Sequence, residues 1–469
     1  MKSIFKFTLL TLVFSFTFSC FEDNDDSISG TTDIKNFVWK AMNFAYLYKD
    51  NISNLANDRF EPNSDEYQRF LNEYESPEEL FESLVYARET VDRFSWITSD
   101  YIALEQRFSG VTKTNGAEFN FYNAPGSSND VFGVVRLVQP NSNAATTTLT
   151  RGQVFNKIDD IPLTEDNLSA LLSNENYTLN LATYNTNGTD TPDDDSLTDG
   201  TETITLTKTI FSENPIFKTR VINLNNENVG YIMYNGFVAD YDSQLNAAFA
   251  NFQAENIQHL ILDLRYNPGG SVNSASVLGS MITGISNEIF AKLQYNSDLQ
   301  INNTNYGFTS TISEGVSINS VGLDKVYVIA TRSSASASEM IINSLRSHID
   351  VVHIGTKTVG KSQASVTLYD SPNFQRQGVN PGHLYALQPL VAITVNKDNQ
   401  SVPSTGIIPT IEVEESVSNY GVLGDSNEPL LAAAIASIGT GKIAIDTQGI
   451  SPIIDSNSFE PFSQEMYID

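Results

Sequence analysis

Between residues 229 and 354 the chain alternates short, β-branched apolar runs with helical patterns, and this alternation restricts the fold more than any other feature of its 469 residues. Runs at 229–233, 259–264, 325–330 and 351–354 read as strands. Residues 241–253, 274–282 and 337–347 read as helices, the last with Met340, Ile341 and Leu345 on one apolar stripe. Strands separated by helices imply a largely parallel sheet with helical cover. Sites in such sheets gather beyond the strand carboxyl ends, where Gly269, Ser336 and Gly360 all fall.

The residues at those ends carry chemistry. SSASASE (333–339) puts Ser336 just before the third helix, and Lys361 follows 25 positions later in a TVGK turn, a nucleophile and a base that need no histidine. Amides around Ser336 and Ala337 would sit at the positive helix end, where an oxyanion is stabilised. A lysine serves as a base only when desolvation or a cationic neighbour lowers its pKa toward working pH. Between the second strand and the next helix, RYNPGGS (265–271) can aim backbone amides at a substrate oxygen. A plain turn would use the same residues, but glycines at the end of an apolar strand in such sheets often form binding loops.

A second motif overlaps the first. GTKTVGKS (355–362) fits the phosphate-binding pattern G-x-x-x-x-G-K-[ST], and Leu260-Ile-Leu-Asp263 could pass for the aspartate-ended strand that assists magnesium. That pattern requires a helix after the lysine, whereas QASVTLYDSP (363–372) reads as strand and turn. No nucleotide is therefore expected. The four histidines, His259, His348, His353 and His383, lack zinc spacing, and no G-x-S-x-G elbow accompanies a serine, so neither a zinc protease nor a Ser-His-Asp hydrolase is supported. No cofactor and no metal is implied.

The beginning of the chain bears on location. Lys2 and Lys6 precede an apolar run at 7–18, then Ser19 and Cys20, the only cysteine. This is a signal peptide, too short to span a membrane, and the lone thiol at its end is a candidate lipid acceptor, with an ordinary secretory signal as the alternative. Residues 20–32 are an acidic tether. With 56 acidic and 27 basic residues the formal charge is −29, which disfavours nucleic acid and anionic membrane surfaces.

Residues 33–107 read as helical: Ile34, Phe37, Val38, Ala41, Met42 and Ala45 share one face, and Ser76-Pro-Glu-Glu79 forms a helix start before an expected helix at 80–91. From 108 to 216 the texture is β, with strands expected at 119–122, 131–138, 152–158, 177–184 and 203–210 and a helix at 165–172. The acidic, threonine-rich stretch 186–201 reads as a solvated hairpin, since the alternating ligand spacing of a calcium loop is absent.

In order and spacing, DLRYNPGG (263–270), SASASE (334–339) and GTKTVGK (355–361) resemble the three motifs of the carboxy-terminal processing peptidases, the tail-specific proteases of peptidase family S41. The resemblance implies an α/β protease core over 217–442, Ser336 as nucleophile, Lys361 as base, and Gly270 and Ala337 as oxyanion donors. It implies a PDZ-like domain over 108–216, built on FGVVRLVQP (132–140) and RGQVFNKID (151–159), with Gly116, Ala117, Glu118 and Phe119 as a peptide carboxylate-binding loop. STGIIPT (404–410) resembles a further family segment, and 443–469 remains as a tail. The pattern also departs from the family. A glutamine four residues after the lysine, or an acidic residue eleven after the serine, is common there; here those positions are Ser365 and Ser347, and Gln363 is the candidate orienting group. The expectation is an exported α/β serine endopeptidase, an outer-membrane or periplasmic lipoprotein anchored at Cys20, acting on polypeptides through their C-termini. The alternative is a non-catalytic peptide-binding lipoprotein on the same scaffold.

Overall fold

The computed structural model describes residues 29–189, 191–312, 315–439, 450–459, 464 and 466–468; Cys20 and the signal segment lie outside them. The core is a six-stranded sheet in the order Ile216–Leu224, Glu227–Tyr234, His259–Asp263, Lys325–Ala330, Asp350–Gly355, Ile411–Glu412. Only the first pair is antiparallel; each later pair is parallel, as the alternating sequence predicts. Helices Asp242–Ala254, Val272–Thr283 and Ala337–Leu345 supply the connections.

Both sheet faces are covered. Val326, Val328 and Ala330 share one buried cluster with Met340, Ile341 and Leu345 of the third helix. Tyr327 and Ile329, one pleat over, share another with Leu430, Leu431 and Ala434 of helix Pro429–Gly439. Two-sided burial explains why the strands are continuously apolar rather than alternating. Each fully buried leucine or isoleucine contributes roughly 1.5–3 kcal/mol relative to exposure, so these clusters hold the strand ends in place for the loops above.

The N-terminal region is helical, and helix Thr31–Ala45 buries the predicted face. Ser76 caps helix Pro77–Ser83 by accepting from the Glu79 amide. That helix stops at Ser83 rather than continuing to residue 91. Beyond it Ala87 takes φ 46°, and Arg88 reaches Glu82 and the carbonyls of Asp92 and Ser95, so a turn satisfied by one guanidinium replaces two helical turns.

The β-rich unit is an antiparallel sheet of Ala117–Asn123, Val131–Val138, Val154–Ile158, Asn176–Asn185 and Ser196–Thr207. The last two form the expected acidic hairpin, Asn185 facing Ser196. The final strand begins at Ser196, earlier than predicted, because Leu197, Thr198 and Asp199 pair with Tyr184, Thr183 and Ala182.

The sequence pattern gave no indication of a second core sheet: Gly270–Ser271, Met466–Tyr467, Gln363–Ser365, Leu390–Val395, Ile289–Tyr295 and Thr304–Gly307. Its first three strands have two or three residues each, too short for periodicity to register. Residues expected as a tail contribute to two sheets. Ile454–Asp455 adds to the edge of the β-rich unit, and Met466–Tyr467 enters this second sheet.

Candidate active site

Strand Lys325–Ala330 delivers the loop that ends at Ser336, and Ser336 is where the backbone is strained. Its φ of 60° and ψ of −117° lie outside the usual regions for a residue with a side chain, a conformation that persists only where surroundings enforce it. The enforcing contacts are local. Ser334 Oγ accepts from the Thr331 amide and donates to the Leu264 carbonyl, while the Ala335 amide and the Ser338 hydroxyl both donate to the Asn267 carbonyl. Helix Ala337–Leu345 starts at once, so the Ala337 amide is among its first, unpaired-by-helix donors.

The glycine loop lies against this turn. Asn267 donates to the Tyr234 carbonyl and accepts from the Gly269 amide, which fixes the approach to Gly270. Gly270 has φ +132°, and a Cβ there would sit 2.1 Å from the Phe237 carbonyl oxygen, so no other residue fits. Asp263, which could have passed for a magnesium ligand, instead pairs with the buried Arg265 at 2.7 Å and accepts from Tyr231. Arg265 also bonds Glu428 and Glu415, a buried network that braces the loop from below.

Lys361 arrives from the next strand, Asp350–Gly355, through a loop whose Val359 amide donates to the Ser334 carbonyl. The residue is fully buried, its amine 5.0 Å from the centre of the Phe94 ring. It is followed by strand Gln363–Ser365, not by a helix, so GTKTVGKS lacks the helix N-terminus that a phosphate cradle needs.

One residue joins the two loops. The buried carboxylate of Glu339 accepts from the Ser336 amide at 3.0 Å and the Lys361 amide at 2.8 Å on one oxygen. On the other it accepts from the Gly360 amide at 2.7 Å and the Thr358 hydroxyl. Burial pushes its carboxyl above the ordinary glutamate value, and these four hydrogen bonds work the other way. Sequence reasoning assigned Glu339 no role. The signal was present, because S-x-x-E at 336–339 is the capping-box spacing, in which the glutamate returns to the amide of the capping serine.

The structure thus brings together Ser336, Ala337, Gly270 and the loop of Lys361. It does not pair the two reactive atoms: Ser336 Oγ has no hydrogen-bond partner among the described residues, and Lys361 Nζ donates to the Gln464 carbonyl at 2.5 Å. Gln363 donates to the Tyr48 hydroxyl at 3.0 Å, while its own side-chain oxygen finds no partner among the described residues. Beside Gly270 is a cavity whose walls include Arg107, Phe108, Glu213, Phe237 and Tyr467. Burial, with Glu118 adding to it, pushes the Glu213 carboxyl up to about 8.

Gly116, Ala117, Glu118 and Phe119, at the start of strand Ala117–Asn123, line a neighbouring cavity with Glu213 and with Tyr266 and Pro268 of the glycine loop. Gly116 accepts from the Gln139 amide, Glu118 pairs with Arg136, and Phe119 is buried. The free edge of that strand is taken by residues 454–456 of the same chain, running antiparallel.

Comparison with known proteins gives a consistent set of likenesses. Residues 228–413 match the model of peptidase family S41, and residues 33–96 match that of the peptidase S41 N-terminal domain. The carboxyl-terminal-processing protease of Picosynechococcus is 24% identical over 240 residues, 51% of each chain. The chloroplastic carboxyl-terminal-processing peptidase 3 of Arabidopsis thaliana is 27% identical over 194 residues, 37% of this chain and 35% of its own. The chain therefore spans about half or less of the length of these curated relatives. Among solved structures, an S41 protease of Bacteroides fragilis superposes with a TM-score of 0.67 at 25% identity, covering 87% of this chain and 98% of its own. The photosystem II D1 C-terminal processing protease does so with a TM-score of 0.51 at 15% identity, 87% and 99% covered, a likeness of fold alone.

Proposed function

Because the chain belongs to peptidase family S41, we propose that it is a serine endopeptidase in which Ser336 and Lys361 form the catalytic dyad. Ser336 Oγ attacks the peptide carbonyl carbon as its proton passes to the neutral Lys361 amine. The amides of Gly270 and Ala337 hold the oxyanion, and the ammonium then protonates the leaving nitrogen as the C–N bond breaks. Water hydrolyses the resulting ester with the same lysine as base. Gln363 stays a candidate for orienting Lys361, at the end of the strand that follows it.

The observation that carries this reading is the Glu339 clamp. A single buried carboxylate binds the backbone amides of both Ser336 and Lys361. A carboxylate held there fixes the strained serine relative to the lysine loop, which a merely structural helix start does not require. Substrates on this reading are unfolded or tail segments of exported proteins, their C-termini bound in the cavity of the PDZ-like unit that Gly116, Ala117, Glu118 and Phe119 line.

Hydrolysis of an unfolded fluorescent protein tests the dyad. Ser336→Ala and Lys361→Ala should each lose about 10³-fold or more in turnover while staying folded. Lys361→Arg should be equally inactive, because a guanidinium does not deprotonate at working pH. Turnover retained in any of the three would sink the dyad, and peptide binding without turnover in the wild type would favour a non-catalytic binder.

The location we propose is the cell envelope, through lipid on Cys20. Mass spectrometry of the mature N-terminus should find a lipidated Cys20, since one acyl chain holds a membrane only marginally and a lipoprotein cysteine carries several. An unmodified terminus at another residue would make the protein an ordinary secreted one.

A further inference from the structure

The strand Met466–Tyr467 lies in an unusual place. It runs parallel to Gly270–Ser271 on one side and to Gln363–Ser365 on the other, with Gly270 facing Met466 and Ser365 facing Tyr467. One neighbour carries the oxyanion glycine, and the other begins two residues after Lys361. The ladder is completed by Ser365 Oγ donating to the Met466 carbonyl at 3.1 Å and the Ile468 amide donating to the Ser365 carbonyl at 3.0 Å. Met466 is fully buried, and Tyr467 stacks on Phe108 with ring centres 4.1 Å apart.

The same segment engages the base. Lys361 Nζ donates to the Gln464 carbonyl, two residues before the strand, and the Ser336 hydroxyl is left without a partner among the described residues. A strand present only to complete a sheet has no need of the lysine. A polypeptide lying in extended form beside the oxyanion glycine, with a main-chain carbonyl on the lysine, has the contacts a bound substrate would make.

We infer that the gap between Gly270–Ser271 and Gln363–Ser365 is the track for an extended polypeptide, and that the chain's own Gln464 and Met466–Ile468 occupy it in cis and hold the peptidase back. This rests on the serine peptidase reading above. The side-chain order of the occupant then describes what the track accepts: a flexible apolar residue at the position of Met466, buried on entry, followed by an aromatic one stacking on Phe108. Proteolysis requires the strand to leave, which also returns the Lys361 amine to Ser336. Because the occupant is tethered, apparent substrate affinity falls by the fraction of molecules in which the track is open.

The test compares the full chain with Met466→Asp/Tyr467→Ala, which removes the buried methionine and the stacked ring. Hydrolysis of an unfolded fluorescent protein should rise at least about tenfold if the closed form dominates. Tyr467→Ala alone, a milder release, should rise less and covers the case in which the double variant folds poorly. A fluorescein-labelled peptide of sequence SQEMYID should bind the released chain, also when that chain carries Ser336→Ala, and should bind wild type far more weakly. The same peptide with Met466→Asp should not bind. Unchanged hydrolysis in the released variants, or acceleration without peptide binding, would overturn the inference while leaving the peptidase reading intact. Peptide binding by a released chain that hydrolyses nothing would overturn the peptidase reading and leave the occupied track standing.

Discussion

Glu339 shows how much one side chain can decide. Its two oxygens serve four donors, three of them the backbone amides of Ser336, Gly360 and Lys361. Glu339→Gln keeps the volume but turns one oxygen into an NH₂ facing donors. Thr358 can rotate to accept from that NH₂, so the Gly360 amide is the group left unpaired. A buried unsatisfied donor costs about 1–3 kcal/mol, so a modest fall in unfolding free energy is expected. The larger effect should be on rate: a displacement of about 1 Å between nucleophile and base costs on the order of 10²-fold. Steady-state kinetics of Glu339→Gln should therefore show kcat reduced by roughly that factor with KM little changed. A proportional rise in KM with kcat intact would mean Glu339 supports the substrate track instead. The neighbouring glycine at 360 adds a steric reason for the same loop geometry, since its φ is +90° and a Cβ would meet the Ser404 carbonyl oxygen at 2.3 Å.

At the scale of elements, what the sequence disclosed follows from length and burial. The strand expected at 325–330 is observed with those bounds, and the neighbouring strands and helices of the core sheet differ by one or two residues at most ends. These elements are long, apolar on the faces that matter, and bounded by glycine or polar turns, so periodicity captures them. The helix expected at 80–91 failed because its later turns are replaced by a turn in which the Arg88 guanidinium bonds Glu82 and the Asp92 and Ser95 carbonyls, an arrangement without helical periodicity. The second sheet escaped for a related reason. Gly270–Ser271 and Met466–Tyr467 are strands only because they pair with each other and with Gln363–Ser365, nearly 200 residues apart in the chain. In the same way Ser336, Lys361 and Gly270 could be named from local motifs, whereas the clamp of Glu339 and the engagement of Lys361 by Gln464 depend on loops meeting in space.

At the scale of the molecule, the β-rich unit and the α/β core are tied through two cations, Arg151, which bonds Glu415 and Tyr266 of the core, and the buried Arg136. Arg136, on strand Val131–Val138, bonds Glu118 within its own sheet, Asp455 of the returning C-terminal strand at 2.9 Å, and the Ser333 hydroxyl three residues before Ser336, with its guanidinium 4.7 Å from the Tyr266 ring centre. Burial alone would raise the Asp455 carboxyl, yet Arg136, with help from Ser333, holds it below the ordinary aspartate value. A depressed carboxylate contributes stability that is present above its unfolded pKa, about 3.9, and is lost as pH falls through the lower folded value. Removing the cation strands two nearly buried carboxylates, and breaking such a pair from one side costs about 3–5 kcal/mol. Arg136→Met should therefore lower the unfolding free energy by that order at neutral pH, and the gap from wild type should narrow as the solution is acidified toward pH 3, where the stranded Asp455 carboxylate protonates. Denaturant melts at pH 7 and pH 3 measure both effects. Adding Asp455→Asn to Arg136→Met should restore part of the loss at pH 7, because the uncompensated charge is then gone. If the two changes are additive instead, Arg136 and Asp455 are not coupled, and the union of the β-rich unit with the α/β core rests on apolar packing and on Arg151 with Glu415 and Tyr266.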